Sequence, residues 1–118
     1  MRMHFALTVV LLLITSVSAV AAEKSIWSCR TSTEGAQPLL HLVDWGGRSY
    51  VKFAHMRFSA RYQVTDEMPG WYWHNDGSGY YRYAIVVDHD GKGWYHDFSL
   101  TGPDQSTAID YLLCEKGE

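Results

Sequence analysis

Gly70-Trp71-Tyr72-Trp73-His74-Asn75-Asp76-Gly77-Ser78-Gly79-Tyr80-Tyr81-Arg82-Tyr83-Ala84-Ile85-Val86-Val87-Asp88-His89-Asp90-Gly91-Lys92-Gly93-Trp94-Tyr95-His96-Asp97-Phe98-Ser99-Leu100 is the stretch that decides the fold. Three aromatic and β-branched runs are separated by two turns of nearly the same chemistry. Such residues suit a pleated, half-buried surface. Asp-Gly between them signals a hairpin, because a type I′ turn needs φ > 0 at both central residues. The two turns share the pattern Asp-Gly-x-Gly-aromatic-Tyr, fourteen residues apart. An EF-hand loop needs about twelve residues and a distal Glu, and neither copy has one. Equal hairpin turns are therefore the preferred reading over calcium loops.

Working outward toward the N-terminus, Leu39–Trp45 reads as a strand and Gly46-Gly47 as a two-residue turn. Arg48–Ala54 and Phe58–Val64 alternate in strand fashion, with His55–Arg57 as a bend or the lead into the next strand. Thr65–Gly70, containing Pro69 and Gly70, reads as a loop. Ser25–Arg30 reads as the first strand and Thr31–Pro38 as a loop or a hairpin turn. Beyond Leu100, Gly102–Ser106 is the last loop. Helical spacing also fits Ala108, Tyr111 and Leu112, but a strand over Ile109–Cys114 is preferred, since no longer helical pattern exists. Seven or eight short strands with turn signals at regular spacing predict an all-β fold. Sequential hairpins favour a small antiparallel up-and-down β-barrel, and closing it removes edges that invite aggregation.

The first 22 residues have the form of a secretory signal peptide. Arg2 and His4 precede the apolar run Phe5–Ile14, and a small-residue segment ends at Ala22, with Ala19 and Ala21 as alternative cleavage points. The run is too short to span a bilayer as a helix, which takes about 20 residues. What remains, 23–118, is 96 residues and a single domain, with nine basic residues against thirteen acidic ones. That balance gives no electrostatic footprint for nucleic acid. It weakly favours a basic partner, because exposed charges are screened within about 8 Å at physiological salt.

Cys29 and Cys114 are the only cysteines. In an exported chain an even count is read as a disulfide. This one would tie the first and last strands, in keeping with a closed barrel. A site with two cysteines alone lacks the ligands that zinc requires.

Three sets of residues could carry function. His74, Asp76, Asp88, His89, Asp90, His96 and Asp97 could in principle bind metal or act in acid–base catalysis. Their spacing argues for turn and surface residues instead, with His96 a hydrogen-bonded, partly buried side chain. No nucleophile elbow and no phosphate-binding glycine loop is present, so the chain reads as a non-enzyme without cofactor. The second set is the aromatics: five Trp, eight Tyr and, Phe5 of the signal peptide apart, three of the four Phe. A small barrel cannot bury all of them, and exposed Tyr, Trp and Arg are typical of interfaces.

The third set comes from a likeness of motif order. Trp27-Ser28-Cys29, Phe58-Ser59-Ala60-Arg61-Tyr62, Trp71-Tyr72-Trp73 and Tyr111-Leu112-Leu113-Cys114 follow one another in an order that resembles the bacterial periplasmic and membrane-bound inhibitors of c-type lysozyme. Those are small exported barrels with a Ser-Gly-x-x-Tyr or Ser-Gly-x-Arg-Tyr motif before a tryptophan-rich strand. Ala60 stands where that family has glycine. The lysine that follows the tryptophans there is replaced by His74 and Asn75. The resemblance implies that Ser59, with His74 as a substitute for the lysine, meets a lysozyme cleft.

The leading expectation is thus an exported, non-catalytic barrel, periplasmic or secreted, that binds a protein through one rim. Its most concrete form is lysozyme-inhibitor-like, with Ser59, Arg61, Tyr62, Trp71, Trp73 and His74 as binding residues. The alternative is a carbohydrate or cell-envelope binding module using Trp71, Trp73, Tyr80, Tyr81 and Trp94. A metal-dependent enzyme using His74, His89 and His96 is the third.

Overall fold

A computed structural model of the chain describes residues 24–75, 77, 79–102 and 107–117. The expected signal peptide, Asp76 and Ser78 of the first Asp-Gly turn, and most of the Gly102–Ser106 loop lie outside the described residues. Eight strands follow in order: β1 (Ser25–Arg30), β2 (Leu40–Trp45), β3 (Arg48–Phe53), β4 (Met56–Thr65), β5 (Met68–Asn75), β6 (Tyr81–Val87), β7 (Lys92–Asp97) and β8 (Asp110–Lys116). One helical turn, α1 (Phe98–Thr101), follows β7. Each strand pairs antiparallel with the next and β8 pairs with β1, giving a closed up-and-down barrel. Among the described residues no helix is long and apolar enough to cross a membrane.

The seam is stapled. Cys29 and Cys114 are direct register partners across β1 and β8, and they form the disulfide with Cα atoms 4.1 Å apart. The bridge closes a loop with a sequence separation of 85 residues. The chain-entropy model assigns such a constraint about 4–5 kcal/mol. A domain has only about 5–15 kcal/mol of net stability, so the staple is a large part of what holds the barrel shut.

Alternation places one side chain in two inside. Cys29, Leu40, Leu42, Val51, Trp71, Ile85 and Val87 are fully enclosed. Burying a side chain of this kind contributes about 1.5–3 kcal/mol. Trp71 crosses the middle of the barrel, packs edge-on against Tyr62 at 5.0 Å, and donates its indole N–H to the Val43 carbonyl at 3.0 Å. That bond satisfies the one polar atom of the ring.

Three boundaries differ from the sequence reading. Thr65–Gly70 is not a loop: Asp66 and Glu67 form a tight turn with φ of 52° and 65°, and Met68-Pro69-Gly70 already belong to β5. Pro69 is tolerated because it lies beyond the last β5–β6 pair, Gly70–Val86, so no ladder bond from β6 is lost. The turn takes in Ala54, read as the end of β3, and His55, while Met56 and Arg57 are the lead into the next strand, one of the two readings of that segment. β7 ends at Asp97 rather than running to Leu100, because the Asp97 carboxylate accepts the Ser99 N–H at 3.0 Å and caps α1.

Candidate functional site

The connections 31–39, 54–55 and 98–109 and the β5–β6 link define one end of the barrel, here the upper end. The turns at Gly46-Gly47, Asp66-Glu67 and 88–91 define the lower end. Each end opens into a cavity, and the enclosed core separates the two.

The upper mouth is a cavity of about 430 Å³ lined by Phe53, Met56, Phe58, Trp73, His74, Tyr83 and Tyr95. Topology brings these together from the end of β3, the start of β4, the end of β5, the start of β6 and the second half of β7. Trp73 and Tyr83 are register partners with ring centroids 5.6 Å apart. Tyr83 and Tyr95 stack at 6.2 Å with planes only 15° apart, and Trp73 to Tyr95 is 6.5 Å. The three rings therefore form a series of tilted plates across the opening. Phe53 and Phe58 meet edge to face at 6.2 Å on the opposite wall. His74 has φ of 64°, an uncommon backbone for a non-glycine residue. Its imidazole lies 5.7 Å from the Tyr83 ring and joins the lining.

A polar group closes one side of this end. Asp97 is buried and pairs with Arg82, whose Nε is 3.6 Å from Oδ1. Hydrogen bonding from the Ser99 side chain holds the Asp97 carboxyl below its ordinary value, against the opposing effect of burial. The Ser99 N–H and the Arg82 charge act in the same direction. The Arg82 guanidinium also sits 5.0 Å from the Tyr83 ring centre. Burial raises the Tyr95 phenol above its usual range, with Asp97 and Tyr83 adding to the effect and Arg82 opposing it. Tyr95 is therefore a neutral hydrogen-bond donor at physiological pH.

The surface around the mouth is apolar. Among the described residues, the exposed large hydrophobic side chains are Leu39, Met56, Phe58, Tyr80, Leu100, Ile109, Trp45 and Val64. The first six belong to the upper end, in strand starts or connections that open there. Only Trp45 and Val64 lie toward the lower end.

The lower mouth differs in kind. Trp27, Tyr62, Val64 and Pro69 line it together with Lys24, Asp44, Glu67 and Lys116, around about 460 Å³. The Asp44 carboxylate is tied by the Ser49 hydroxyl.

The six residues expected to bind do not share a surface. Trp71 is sealed in the core with no exposure, and Tyr62 packs on it from inside. Trp73 is 4% exposed and reaches solvent only through the upper mouth, beside His74. Ser59 and Arg61 are exposed on the outer wall of β4, at register positions opposite Tyr50 and Tyr72. Of the aromatic set, Tyr80 is exposed at the upper rim. Tyr81 stands beside Tyr72 at 6.4 Å outside the barrel. Trp94 lies on the outer wall, donating to Asp88 Oδ2 at 2.8 Å and packed on Tyr111 at 5.4 Å. Among the described residues no three His, Cys, Asp or Glu side chains converge as a metal site would require. His74 lines the upper mouth, His89 belongs to the lower turn, and His96 faces outward beneath α1, stacked on Phe98 at 5.5 Å. Phe53, Met56, Phe58, Tyr83 and Tyr95 were not singled out by sequence reasoning. Their shared signal is that each sits at, or inward-facing near, the same end of its strand.

Together these features define a small, closed, antiparallel β-barrel with an aromatic-lined mouth and an apolar rim at one end. The chain matches no family model, no curated protein and no solved structure.

Proposed function

We propose that this protein is an exported, non-catalytic binding module that docks a protein partner on its upper rim, with an apolar side chain of the partner entering the aromatic mouth. The observation that carries this reading is the segregation of exposed apolar residues. Leu39, Met56, Phe58, Tyr80, Leu100 and Ile109 all gather at one end of the barrel. Exposed apolar residues scattered singly need no explanation, whereas a gathered patch marks an interaction surface. A cavity rimmed this way has the form of an interface anchor pocket, in which one buried aromatic or aliphatic side chain contributes much of the affinity. The disulfide supports export, since such bonds persist in oxidising compartments.

Lysozyme inhibition is the concrete form to test. Ser59 and Arg61 are exposed on β4 just below the rim, so a lysozyme would meet the rim and that wall together. The test follows lysis of bacterial cells by a c-type lysozyme at micromolar concentrations of this protein. Slowed lysis by the native protein, with lysis restored for Met56→Glu/Phe58→Glu, supports rim docking on lysozyme. Unchanged lysis with the native protein removes the lysozyme form.

A second reading rests on the tilted plates Trp73, Tyr83 and Tyr95, whose flat faces suit sugar rings. Tryptophan fluorescence titrated with chitin oligomers separates the two. A response lost in Trp73→Ala assigns the mouth to a glycan, and no response leaves the mouth to a protein side chain.

A further inference from the structure

The outer wall of β2–β4, of which the lysozyme form uses only Ser59 and Arg61, carries a feature of its own. Its outward positions are His41, Val43 and Trp45 on β2, Arg48, Tyr50 and Lys52 on β3, and Arg57, Ser59, Arg61, Gln63 and Thr65 on β4. No acidic residue occurs among them, in a chain with more acidic than basic residues overall. Asp44, the one carboxylate within these strands, faces inward and is engaged by Ser49. Among the described residues the only ion pair is Arg82–Asp97, so the cations of this wall have no acidic partner there.

The arrangement works against the fold on its own. Lys52 and Arg57 are direct cross-strand partners, with His41 on the other side of Lys52. Like charges directly opposite are destabilising. Arg57 instead rests its guanidinium 4.2 Å from the centre of the Tyr50 ring. Rings and cations interleave: Trp45 is opposite Arg48, Tyr50 lies between Arg48 and Lys52, and Tyr72 is opposite Arg61. Strand geometry makes the face about 13 Å long from Arg48 to Lys52 and about 10 Å across three strands.

We propose that this wall is a docking face for an anionic polysaccharide chain, whose carboxylate or phosphate groups meet Arg48, Lys52, Arg57 and Arg61 and whose sugar rings lie against Tyr50 and Trp45 beside the Arg57 and Lys24 cations that rest on those rings. Charge complementarity carries the anionic requirement, and the interleaved rings carry the sugar. A closed barrel has no free edge to which an extended acidic peptide could add as a strand. A flat anionic bilayer would touch a convex wall along a line rather than across three strands. The face is separate from the aromatic mouth, so this proposal stands whether or not the rim docks a protein.

The test is native electrophoresis of the disulfide-bonded protein in gels containing polygalacturonate, with dextran gels as the neutral reference. The native protein is expected to be retarded by polygalacturonate alone, and about 0.5 M salt should abolish the effect by screening. Arg57→Gln/Arg61→Gln should weaken binding by about tenfold or more. Trp45→Ala/Tyr50→Ala should weaken it as well. These positions are outward-facing, and circular dichroism confirms that each variant is folded; Lys52→Gln is the substitute if one is not. No retardation of the native protein, or equal retardation of the charge variants, overturns the proposal. So does competition by poly-L-glutamate or anionic vesicles as strong as that by polygalacturonate, since charge alone would then suffice.

Discussion

Gly93 pairs with Leu112 in the β7–β8 ladder, and the sulfur of Cys114, two residues further along β8, lies so close that a Cβ built on Gly93 would be 2.6 Å from it and 3.2 Å from an Ile85 methyl. The disulfide occupies the space that a side chain on β7 would fill. Glycine in a strand weakens it in general; here the residue is what lets the staple close the seam.

Gly93→Ala should therefore destabilise the oxidised protein by about 1–3 kcal/mol, the usual range for overpacking a tight interior. In a Cys29→Ala/Cys114→Ala background the barrel starts about 4–5 kcal/mol lower on the chain-entropy account. There Gly93→Ala should have a much smaller effect, because only the Ile85 methyl remains in the way. Urea unfolding of the four proteins gives the double-mutant coupling. Additive effects would show that Gly93 and the disulfide do not share this space.

Trp71 should be the most sensitive core position among the large residues. Trp71→Ala removes a fully buried indole and is expected to lose about 3–5 kcal/mol. Trp71→Phe keeps most of the volume but leaves the Val43 carbonyl without its donor, a loss of about 1–3 kcal/mol. Ligand binding at the upper mouth should survive in Trp71→Phe, because that ring does not line the mouth. Denaturation midpoints check the first two outcomes, and titration of the mouth checks the third.

The Asp66-Glu67 turn is open to improvement. Both residues hold positive φ, which for ordinary side chains costs about 1–2 kcal/mol each. The favoured sequence for two such residues is Asn-Gly. Asp66→Asn/Glu67→Gly should raise stability by a few tenths to about 1 kcal/mol, since glycine's unfolded-state entropy offsets part of the gain. A thermal melt at fixed pH reads the change, and a lower midpoint would mean that Asp66 and Glu67 make compensating contacts.

That turn also shows where the sequence was legible and where it was not. The eight strands, the Gly46-Gly47 turn and the Cys29–Cys114 staple follow from local chemistry: alternation, turn residues and cysteine count. Asp66-Glu67 does not carry a turn signature, and Pro69-Gly70 read as breakers. Only the register makes them strand: Pro69 pairs with Val64 of β4 and has no partner on β6. The site was less legible for a different reason. Alternation shows that Trp71 and Trp73 share a face but not whether that face is inside. The upper mouth is assembled from five strand ends far apart in sequence, so Phe53, Phe58, Trp73, Tyr83 and Tyr95 converge only when the sheet closes.

His96 should make stability depend on pH near neutrality. Burial beneath α1 lowers its imidazole below the ordinary value, with the hydrogen bond to the Thr107 backbone opposing in part. Its Nδ1 is buried without a partner among the described residues. The folded state thus favours the neutral ring. Below about pH 6.5, the ordinary histidine value, the unfolded chain binds a proton that the folded chain resists. The contribution of His96 is therefore complete above that pH and is lost as pH falls toward the lowered folded value. Asp88 and Asp97, held below the usual carboxylate range, lose their contributions only at more acidic pH. For Asp88 the desolvation that opposes ionisation is outweighed by hydrogen bonds from Trp94, Lys92 and Asp90, together with the Lys92 charge. Urea unfolding between pH 7.5 and pH 5 should show falling stability for the native protein, and His96→Phe should flatten that slope. An unchanged slope in the variant would assign the effect to another group.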